Sequence, residues 1–348
     1  MPILEYNDVG LAVHKITTQT SLLAGHKADP LTRAIFGDVI DPGYVRGDEQ
    51  KLPTFAKVRT DMEGQTFQHD LIKPEDGYDR ATTTAQQMAA NTPDTTEKYG
   101  QARFNLTLFP INEHIAETKV KQITDTMRQG KGSVFETEVT RISRKVHKTV
   151  ARALVSPTIN TSKDLVSGGL VYGIDAANDY GGVLRSDASG ELFRGVVTNL
   201  TPAPHNGNIS LELITQAQGQ CADNGGSPKL VVCGLAIWAK LKRLVEQEAQ
   251  SGASTIDGNA LALGKPHFVY SNMVFVHSPH IAADVIIGVD PDSVITFAEF
   301  PGLGVNDFTW MKNPNTQASW LYKSHIYLCP IVENPSWNFK FTGALDVV

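Results

Sequence analysis

Alternating apolar and polar residues predict a long two-stranded excursion over residues 54–111. Residues 54–59 alternate at the period of a β-strand, and residues 101–108 do so more cleanly, with Phe104 and Leu106 on the apolar side. An isolated hairpin of this size is marginal in water, and so long a loop is unusual within a compact domain. We therefore expect the excursion to pack on another copy of the chain. A mobile surface insertion is the alternative.

The first 53 residues show no long periodic pattern. Asp29-Pro30, Asp41-Pro42-Gly43 and Leu52-Pro53 interrupt this stretch repeatedly, and such dipeptides are typical of turns. A free-standing domain is not expected here. The sequence instead predicts an extended N-terminal arm that lies on another part of the assembly.

The strongest helix signal runs from Ser133 to about Leu154. Ser133 and Glu136 have the spacing of a capping box, which would satisfy free backbone N–H groups at the helix start. Apolar residues then recur every three or four positions and form one stripe: Phe135, Val139, Ile142, Val146 and Val150. A shorter helical piece is expected over residues 112–128.

From Leu170 onward the pattern mixes helices and strands, so the fold class is α+β. One helix is predicted after Asn208, with Leu211, Ile214, Ala217 and Cys221 on its apolar face, and another over residues 235–249. Strands are predicted at residues 229–233, 268–276, 285–289 and 294–297, and a final long strand at 318–331.

Composition narrows the classes of protein. The chain has 348 residues, of which 41% are hydrophobic, and a formal net charge of -6. A nucleic-acid binder that works by bulk charge would be basic, so that class is disfavoured. No apolar run approaches the roughly 18 residues of a membrane span, and the start does not look like a secretory signal. The three cysteines are widely spaced and fit a reducing compartment.

The search for catalytic chemistry is negative. Neither a Gly-x-Ser-x-Gly elbow nor a phosphate-binding Gly-rich loop with Lys-Ser/Thr occurs. His277 and His280 form a metal-like pair, but without a neighbouring ligand cluster they are interpreted as packing or surface histidines. Asp290 and Asp292 are interpreted as a turn, since the glycine and distal glutamate of a calcium loop are missing. We therefore assign no catalytic, cofactor-binding or metal-binding residue and do not expect an enzyme.

The long predicted helix carries one basic face. Its members are Arg141, Arg144, Lys145, Lys148 and Arg152. Contact with an anionic partner such as DNA is one interpretation. A solvated helix face, favoured by the helix dipole, is the other.

The order of these parts resembles the major capsid proteins of tailed bacteriophages, which share the Hong Kong-type capsid fold. The most specific local match is YGIDAANDYGGVLRS, residues 172–186, which is similar to the family's Tyr-Gly-Gly-(Ile/Leu)-(Asp)-Arg-Ser segment. Weaker matches follow at residues 209–214, 226–232, 236–241 and 286–293. The likeness covers residues 54–343, and it depends on the order of the motifs more than on any one of them.

The resemblance implies a division of the chain. The parts would be an N-terminal arm (1–53), an extended loop formed by a long β-hairpin (54–111), a peripheral domain with a spine helix (112–169), a mostly axial mixed α/β domain (170–317) and a return strand to the peripheral domain (318–348). The extended loop would lie over a neighbouring subunit. Candidate inter-subunit contacts are Phe55, Tyr78, Arg80, Phe104 and Leu106.

The resemblance also implies a function. Many copies would form pentamers and hexamers of an icosahedral head shell that encloses the DNA genome, located in the virion and assembled in the cytoplasm of a bacterial host. A portal, a separate scaffolding protein and a decoration protein are the expected partners, with weak non-specific contact to double-stranded DNA through the basic helix face. No cofactor and no membrane contact are expected.

Three alternatives stay open at this stage. An encapsulin-type nanocompartment would use the same fold around a cargo enzyme. An α/β enzyme with a large β insertion would need a pocket with convergent titratable groups. A tail or decoration protein would be richer in short strands. Covalent crosslinking also stays open: Lys57, Lys73 or Lys98 and Asn313 or Asn315 are suitable residue types, but their spacing does not indicate a bond.

Overall fold

A computed structural model describes most of the chain. The described residues are 13–16, 29–40, 55, 57–60, 66–72, 99–121, 131–159, 162–185, 193–250, 267–301, 303–305, 308–315 and 318–344. The strands are β1 (Val13–Ile16), β2 (Lys57–Arg59), β3 (Thr66–Ile72), β4 (Tyr99–Asn105), β5 (Thr107–Ala116), β6 (Val196–Asn199), β7 (Leu230–Cys233), β8 (His267–Tyr270), β9 (Met273–His277), β10 (Ile286–Val289), β11 (Val294–Pro301), β12 (Gly304–Val305), β13 (Phe308–Lys312), β14 (Ser319–Val332) and β15 (Phe339–Thr342). The helices are α1 (Pro30–Ile40), α2 (Lys131–Leu154), α3 (Leu170–Gly173), α4 (Leu211–Asp223) and α5 (Leu235–Gln250).

Two sheets organise these elements. The seven-stranded sheet runs β1-β13-β14-β11-β12, with β5 also paired to β14 and β2 to β11. The six-stranded sheet runs β6-β15-β10-β7-β9-β8, and β3 and β4 form a separate antiparallel hairpin. The long strand β14 pairs with β5 over residues 319–328 and with β11 over residues 327–332. β14 is therefore the central strand of the larger sheet.

Helix α2 packs its apolar stripe on the seven-stranded sheet. All five predicted stripe residues are buried, and the Phe135 ring lies 5.1 Å from Trp320 and 5.6 Å from Trp310, centroid to centroid. The helix begins at Lys131, two residues earlier than predicted, which places Ser133 inside the helix and not at its cap. Of the helices that the structure describes, none is long and apolar enough to span a lipid bilayer.

The N-terminal arm contains a buried helix that the sequence patterns do not predict. Asp29 and Pro30 start α1 and do not break the chain: an Asp29 carboxylate oxygen accepts the backbone N–H of Thr32 at 3.0 Å, and Pro30 takes the first helical position. Phe36 is fully buried, and its ring meets that of Phe300 at 5.3 Å. Leu31, Ala34, Ile35 and Phe36 of α1 thus belong to the core of the chain, and β1 joins β13.

The hairpin uses a different first strand from the one predicted. β3 pairs with β4 from Thr66 opposite Asn105 to Ile72 opposite Tyr99, whereas residues 57–59 run parallel to β11 in the larger sheet. A period-two pattern marks a strand but does not identify its partner, which is a non-local choice.

A strand replaces the first five residues of the helix predicted over residues 112–128, and residues 122–128 of that prediction lie outside the described residues. β5 continues to Ala116 through ten cross-strand pairs with β14, and only residues 117–121 of the described part are helical. Pairing along β14 overrides the weak local helix signal.

The predicted helices and most of the predicted strands of the second half are present. The run at 268–276 is an exception, because it forms two strands, β8 and β9, separated by a turn at Ser271 and Asn272. On α4 the buried residues are Leu211, Ile214, Ala217 and Cys221, as the spacing predicts. All three cysteines are free and buried, and burial raises the pKa of each thiol to about 12.

The predicted domain boundaries cut across the two sheets. β11 and β13, within residues 170–317, belong to the sheet that packs on α2, whereas β15, within residues 318–348, belongs to the six-stranded sheet. The division of the chain into domains therefore stays a prediction, and β11, β13 and β15 do not follow its boundaries.

Candidate functional site

The segment from Tyr172 to Arg185 forms a junction at the base of the hairpin. Its centre is Arg185, whose side chain is inaccessible to solvent. The guanidinium donates to the carbonyl of Asp175 at 2.6 Å and to that of Gly173 at 2.7 Å, and its central carbon lies 4.6 Å from the Tyr180 ring centroid. Burial lowers the pKa of Arg185 to about 10, so it is still a cation at neutral pH. A buried cation held by carbonyls at the end of α3 fixes the path of the chain.

Tyr180 links this junction to the sheet and to the hairpin. β5 begins at Thr107, opposite Leu328, and further along β14 the Tyr180 hydroxyl accepts the backbone N–H of Val332 at 3.0 Å. The Tyr180 ring also packs on Phe104 of β4, with 5.0 Å between centroids. Desolvation raises the pKa of the Tyr180 hydroxyl well above its ordinary value, so it stays protonated.

Gly181 lets the hairpin approach closely. Its φ is +60°, and a Cβ atom there would lie 2.7 Å from the Cβ of Ala102 on β4. The Gly181 carbonyl accepts the N–H of Arg103 at 2.7 Å. Only glycine combines this backbone conformation with this contact.

An ion pair connects the junction to the six-stranded sheet. The Lys340 ammonium on β15 lies 2.7 Å from the Asp175 carboxylate and donates to the carbonyl of Val171 at 3.3 Å. Burial alone would raise the pKa of Asp175, but hydrogen bonds from Lys340 and from two backbone N–H groups outweigh it and hold this pKa below its ordinary value. The junction therefore touches the hairpin and both sheets.

Glu333 provides a second anchor for the hairpin. It follows β14, is 7% exposed, and forms an ion pair with Lys57 of β2. Its other carboxylate oxygen lies 2.7 Å from Nε2 of His69 on β3. Burial would raise the pKa of Glu333, but these two partners lower it below its ordinary value.

Replacing Glu333 with glutamine is expected to lower the free energy of unfolding by about 1–2 kcal/mol at pH 7, because the neutral amide cannot form the ion pair with the partly solvated Lys57 and is a weaker hydrogen-bond partner for His69. The lowered pKa means that the stabilisation by Glu333 is complete above its unfolded pKa of about 4.3 and is lost as pH falls through the folded pKa.

Urea unfolding between pH 3 and pH 7 measures this effect. The difference between the wild type and Glu333→Gln should shrink below about pH 4.3. Glu212→Gln, a matched change at an exposed position in the first turn of α4, should lower the free energy of unfolding by no more than ~0.5 kcal/mol. A constant difference across the whole pH range would contradict the role of the Glu333 carboxylate.

A groove of about 530 Å³ lies between the hairpin and the junction. Its described lining includes Arg103, Asn105, Val166, Tyr172 and Asp179. In the described part of the chain, no group of three or more His, Cys, Asp or Glu residues is arranged as metal ligands. The chemistry of this region is packing, hydrogen bonding and ion pairing.

The basic helix face is partly neutralised by the chain itself. Arg141 pairs with Glu113 of β5 at 2.8 Å and with Glu138 at 2.5 Å, and Lys145 pairs with Glu113 at 2.6 Å. Hydrogen bonding to Glu113 raises the pKa of Arg141. Burial would raise the pKa of Glu113, but its two cationic partners lower it.

A second groove, of about 560 Å³, follows this face of α2. Its described lining consists of Thr137, Thr140, Arg141, Arg144, Lys145 and Lys148. Four of the five predicted basic residues therefore line one groove. Arg152 is not among the described lining residues, and its Nε atom is buried.

The predicted inter-subunit contacts stay predictions, and the single chain already buries some of them. Phe55 and Phe104 are buried within their own chain, at 3% and 0% exposure, and Leu106 is partly buried against the same core. Tyr78 and Arg80 lie outside the described residues. Strand alternation correctly identified the apolar face of β4, but it cannot show that the same chain covers that face.

The large apolar side chains that the structure leaves exposed are different ones. Among the described residues they are Leu108, Val166, Leu184, Leu235 and Met311. Sequence reasoning did not single them out as contacts. Leu108 continues the predicted alternation over residues 101–108, but the strand is interrupted at Leu106, and Thr107 is buried in place of Leu108.

Comparison with known proteins identifies the fold of the chain but finds no close relative in sequence. No family model and no curated protein sequence matches the chain. Among solved structures, the capsid asymmetric unit of cyanophage A-1(L) has a TM-score of 0.60 at 9% identity, covering 83% of this chain and 91% of that one. The capsid of the native GTA particle has a TM-score of 0.53 at 13% identity, covering 84% and 89%.

A structure from Mycobacterium phage Bobi is similar at the same level, with a TM-score of 0.50 and 12% identity over 82% of this chain and 88% of that one. These likenesses extend over most of each chain, although the sequences have diverged almost completely. The chain therefore has the α+β Hong Kong-type capsid fold that its sequence resemblance implies.

Proposed function

We propose that this chain is the major capsid protein of a tailed bacteriophage and that its copies assemble into a closed shell. The observation that carries the proposal is the fold shared with the cyanophage A-1(L) capsid chain over 83% of this chain. Fold alone does not set function, so features of this chain must also fit a shell.

The exposed apolar side chains fit a protein that associates with its own copies. Leu108 is 48% exposed, Val166 42% and Leu184 51%. The first two lie close together, because Thr107 Oγ1 accepts the N–H of Val166 at 2.8 Å. Val166 lines the groove at the hairpin base, and Leu184 follows lining residue Gly182 by two positions. Exposed apolar groups around a groove are typical of protein interfaces.

The proposal has finer parts, which the fold supports. The copies would form pentamers and hexamers of an icosahedral head, which assembles in the host cytoplasm and encloses double-stranded DNA in the virion. The hairpin would extend over a neighbouring subunit, α2 would be the spine helix of the peripheral domain, and α4 and α5 would belong to the axial domain. A portal, a separate scaffolding protein and a decoration protein are the proposed partners.

An encapsulin-type shell is the second candidate, because it would use the same fold. The two differ in contents: a phage head holds DNA, whereas a nanocompartment holds a cargo protein. Nuclease-resistant DNA in particles purified from infected cells would favour the phage head, and a stoichiometric cargo enzyme in its place would favour the nanocompartment.

Size-exclusion chromatography and negative-stain microscopy of the purified chain test the proposal. We expect megadalton material and closed, round particles, because interlocking copies bury the exposed apolar side chains. Leu184→Asp should reduce particle yield, whereas Lys240→Asp, at a position away from the groove, should not. A well-folded monomer that does not associate at any concentration would rule the shell function out.

A further inference from the structure

Glu113 occupies the basic groove of α2 from within the chain. It lies on β5, which pairs with β14, and its side chain is only 18% exposed. Its two carboxylate oxygens contact Arg141 at 2.8 Å and Lys145 at 2.6 Å. One carboxylate thus holds two cations of the same helix face, in the way that a phosphate group would.

The remaining cations of the groove are differently placed. Arg144 and Lys148 are exposed, and neither forms an ion pair with a carboxylate among the described residues. They are four residues apart on α2, so they are neighbours on one face. The groove therefore has a neutralised half, formed by Arg141 and Lys145, and a cationic half.

The lining chemistry distinguishes between two kinds of anionic partner. The described lining side chains are threonines, arginines and lysines, with no large apolar residue. An acidic polypeptide segment that docks stably would be expected to place apolar side chains against apolar counterparts. The phosphate backbone of a nucleic acid needs only cations and hydroxyl donors.

We propose that the α2 groove binds the phosphate backbone of duplex DNA, and that Glu113 is a built-in competitor that restricts this contact to Arg144 and Lys148. This inference uses the proposed location of DNA inside a shell, but it is tested on unassembled protein. The Glu113 carboxylate would keep the affinity of the shell wall for DNA low, so that packaged DNA is enclosed without being adsorbed on the wall.

The dependence of binding on salt provides the measurement. Each phosphate contact contributes a slope of about -0.9 to the logarithmic dependence of affinity on salt concentration. Two available cations predict a slope of about -2 for the wild type. Glu113→Gln releases Lys145, while Glu138 still holds Arg141 at 2.5 Å, and therefore predicts a slope of about -3. At 50 mM salt the variant should bind at least ~10-fold more tightly.

The experiment uses the full-length chain below its assembly concentration and a short fluorescent DNA duplex, with anisotropy recorded from 50 to 200 mM salt. Glu212→Gln makes the same charge change on α4, away from the groove, and should keep the wild-type slope. The double variant Arg144→Gln/Lys148→Gln should bring the slope close to zero. A circular dichroism melt checks that Glu113→Gln is folded.

Two results would overturn the inference. One is a Glu113→Gln slope equal to that of Glu212→Gln. The other is displacement of the duplex by poly-L-glutamate at equal charge, which would identify an acidic polypeptide as the ligand. If Glu113→Gln does not fold, Lys145→Gln gives a second test. Because Glu113 already holds Lys145, this variant should keep the wild-type slope, and a loss of about one unit would contradict the inference. Particle formation is scored separately, so loss of the shell function and loss of this inference are distinguishable.

Discussion

Replacing Arg185 with alanine should lower the free energy of unfolding by about 3 kcal/mol. The change would leave the Gly173 carbonyl without its guanidinium donor in the interior, at a cost of ~1–3 kcal/mol. The Asp175 carbonyl would keep only the longer hydrogen bond from the Gly195 N–H, at 3.5 Å. It would also open a cavity beside the Tyr180 ring. Part of this loss is recovered, because the chain no longer has to bury a guanidinium group, whose lowered pKa reflects that cost.

Chemical denaturation under non-assembling conditions measures the effect. Arg243→Ala removes an exposed arginine from α5 and should change stability by less than ~0.5 kcal/mol. Arg185→Lys should fall between the wild type and the alanine variant, because an ammonium group keeps the charge but not the planar two-carbonyl geometry. If Arg185→Ala were as stable as Arg243→Ala, the junction would not be organised by this side chain.

The helices of this fold can be predicted from the sequence because each helix buries one face. On α2 and α4 the apolar residues recur every three or four positions, and all of the residues identified in this way are buried. The burial of a single stripe depends on local spacing, which the sequence contains. The buried strand β7 is also predicted from local sequence, because it is a short apolar run before a helix.

Pairing between distant segments could not be predicted in the same way. Residues 54–59 and 101–108 both alternate, yet β4 pairs with β3, and β2 pairs with β11, which is more than two hundred residues away. The choice depends on which surfaces the folded chain brings together. Asp29-Pro30 shows a related ambiguity, because an aspartate before proline can end one element or start the next.

The candidate sites depend on non-local contacts even more strongly. The 172–186 motif was visible in the sequence, but a buried arginine is rare, and nothing in the motif shows that Arg185 has no access to solvent. The basic face of α2 was also visible. Its neutralisation was not, because Glu113 lies 28 residues from Arg141 on another element.

Truncation of Phe104 to alanine should destabilise the single chain, and not only its assembly, by about 3–4 kcal/mol. The ring is fully buried in its own chain, packs on Tyr180 and lies beside Gly181. Leu108→Ala, two residues into β5 and 48% exposed, should cost less than ~0.5 kcal/mol in the isolated chain.

The pair of variants separates contacts within the chain from contacts between copies. Phe104 is buried within its own chain at the base of the hairpin. Phe104→Ala should therefore lower the denaturation midpoint at a concentration where no particles form, and Phe104→Leu should recover most of the loss. Leu108→Ala should instead keep the midpoint and reduce particle yield, because its exposed side chain has burial to gain only from a neighbour. The reverse pattern, with normal stability but no particles for Phe104→Ala, would show that the ring leaves its pocket to contact another copy.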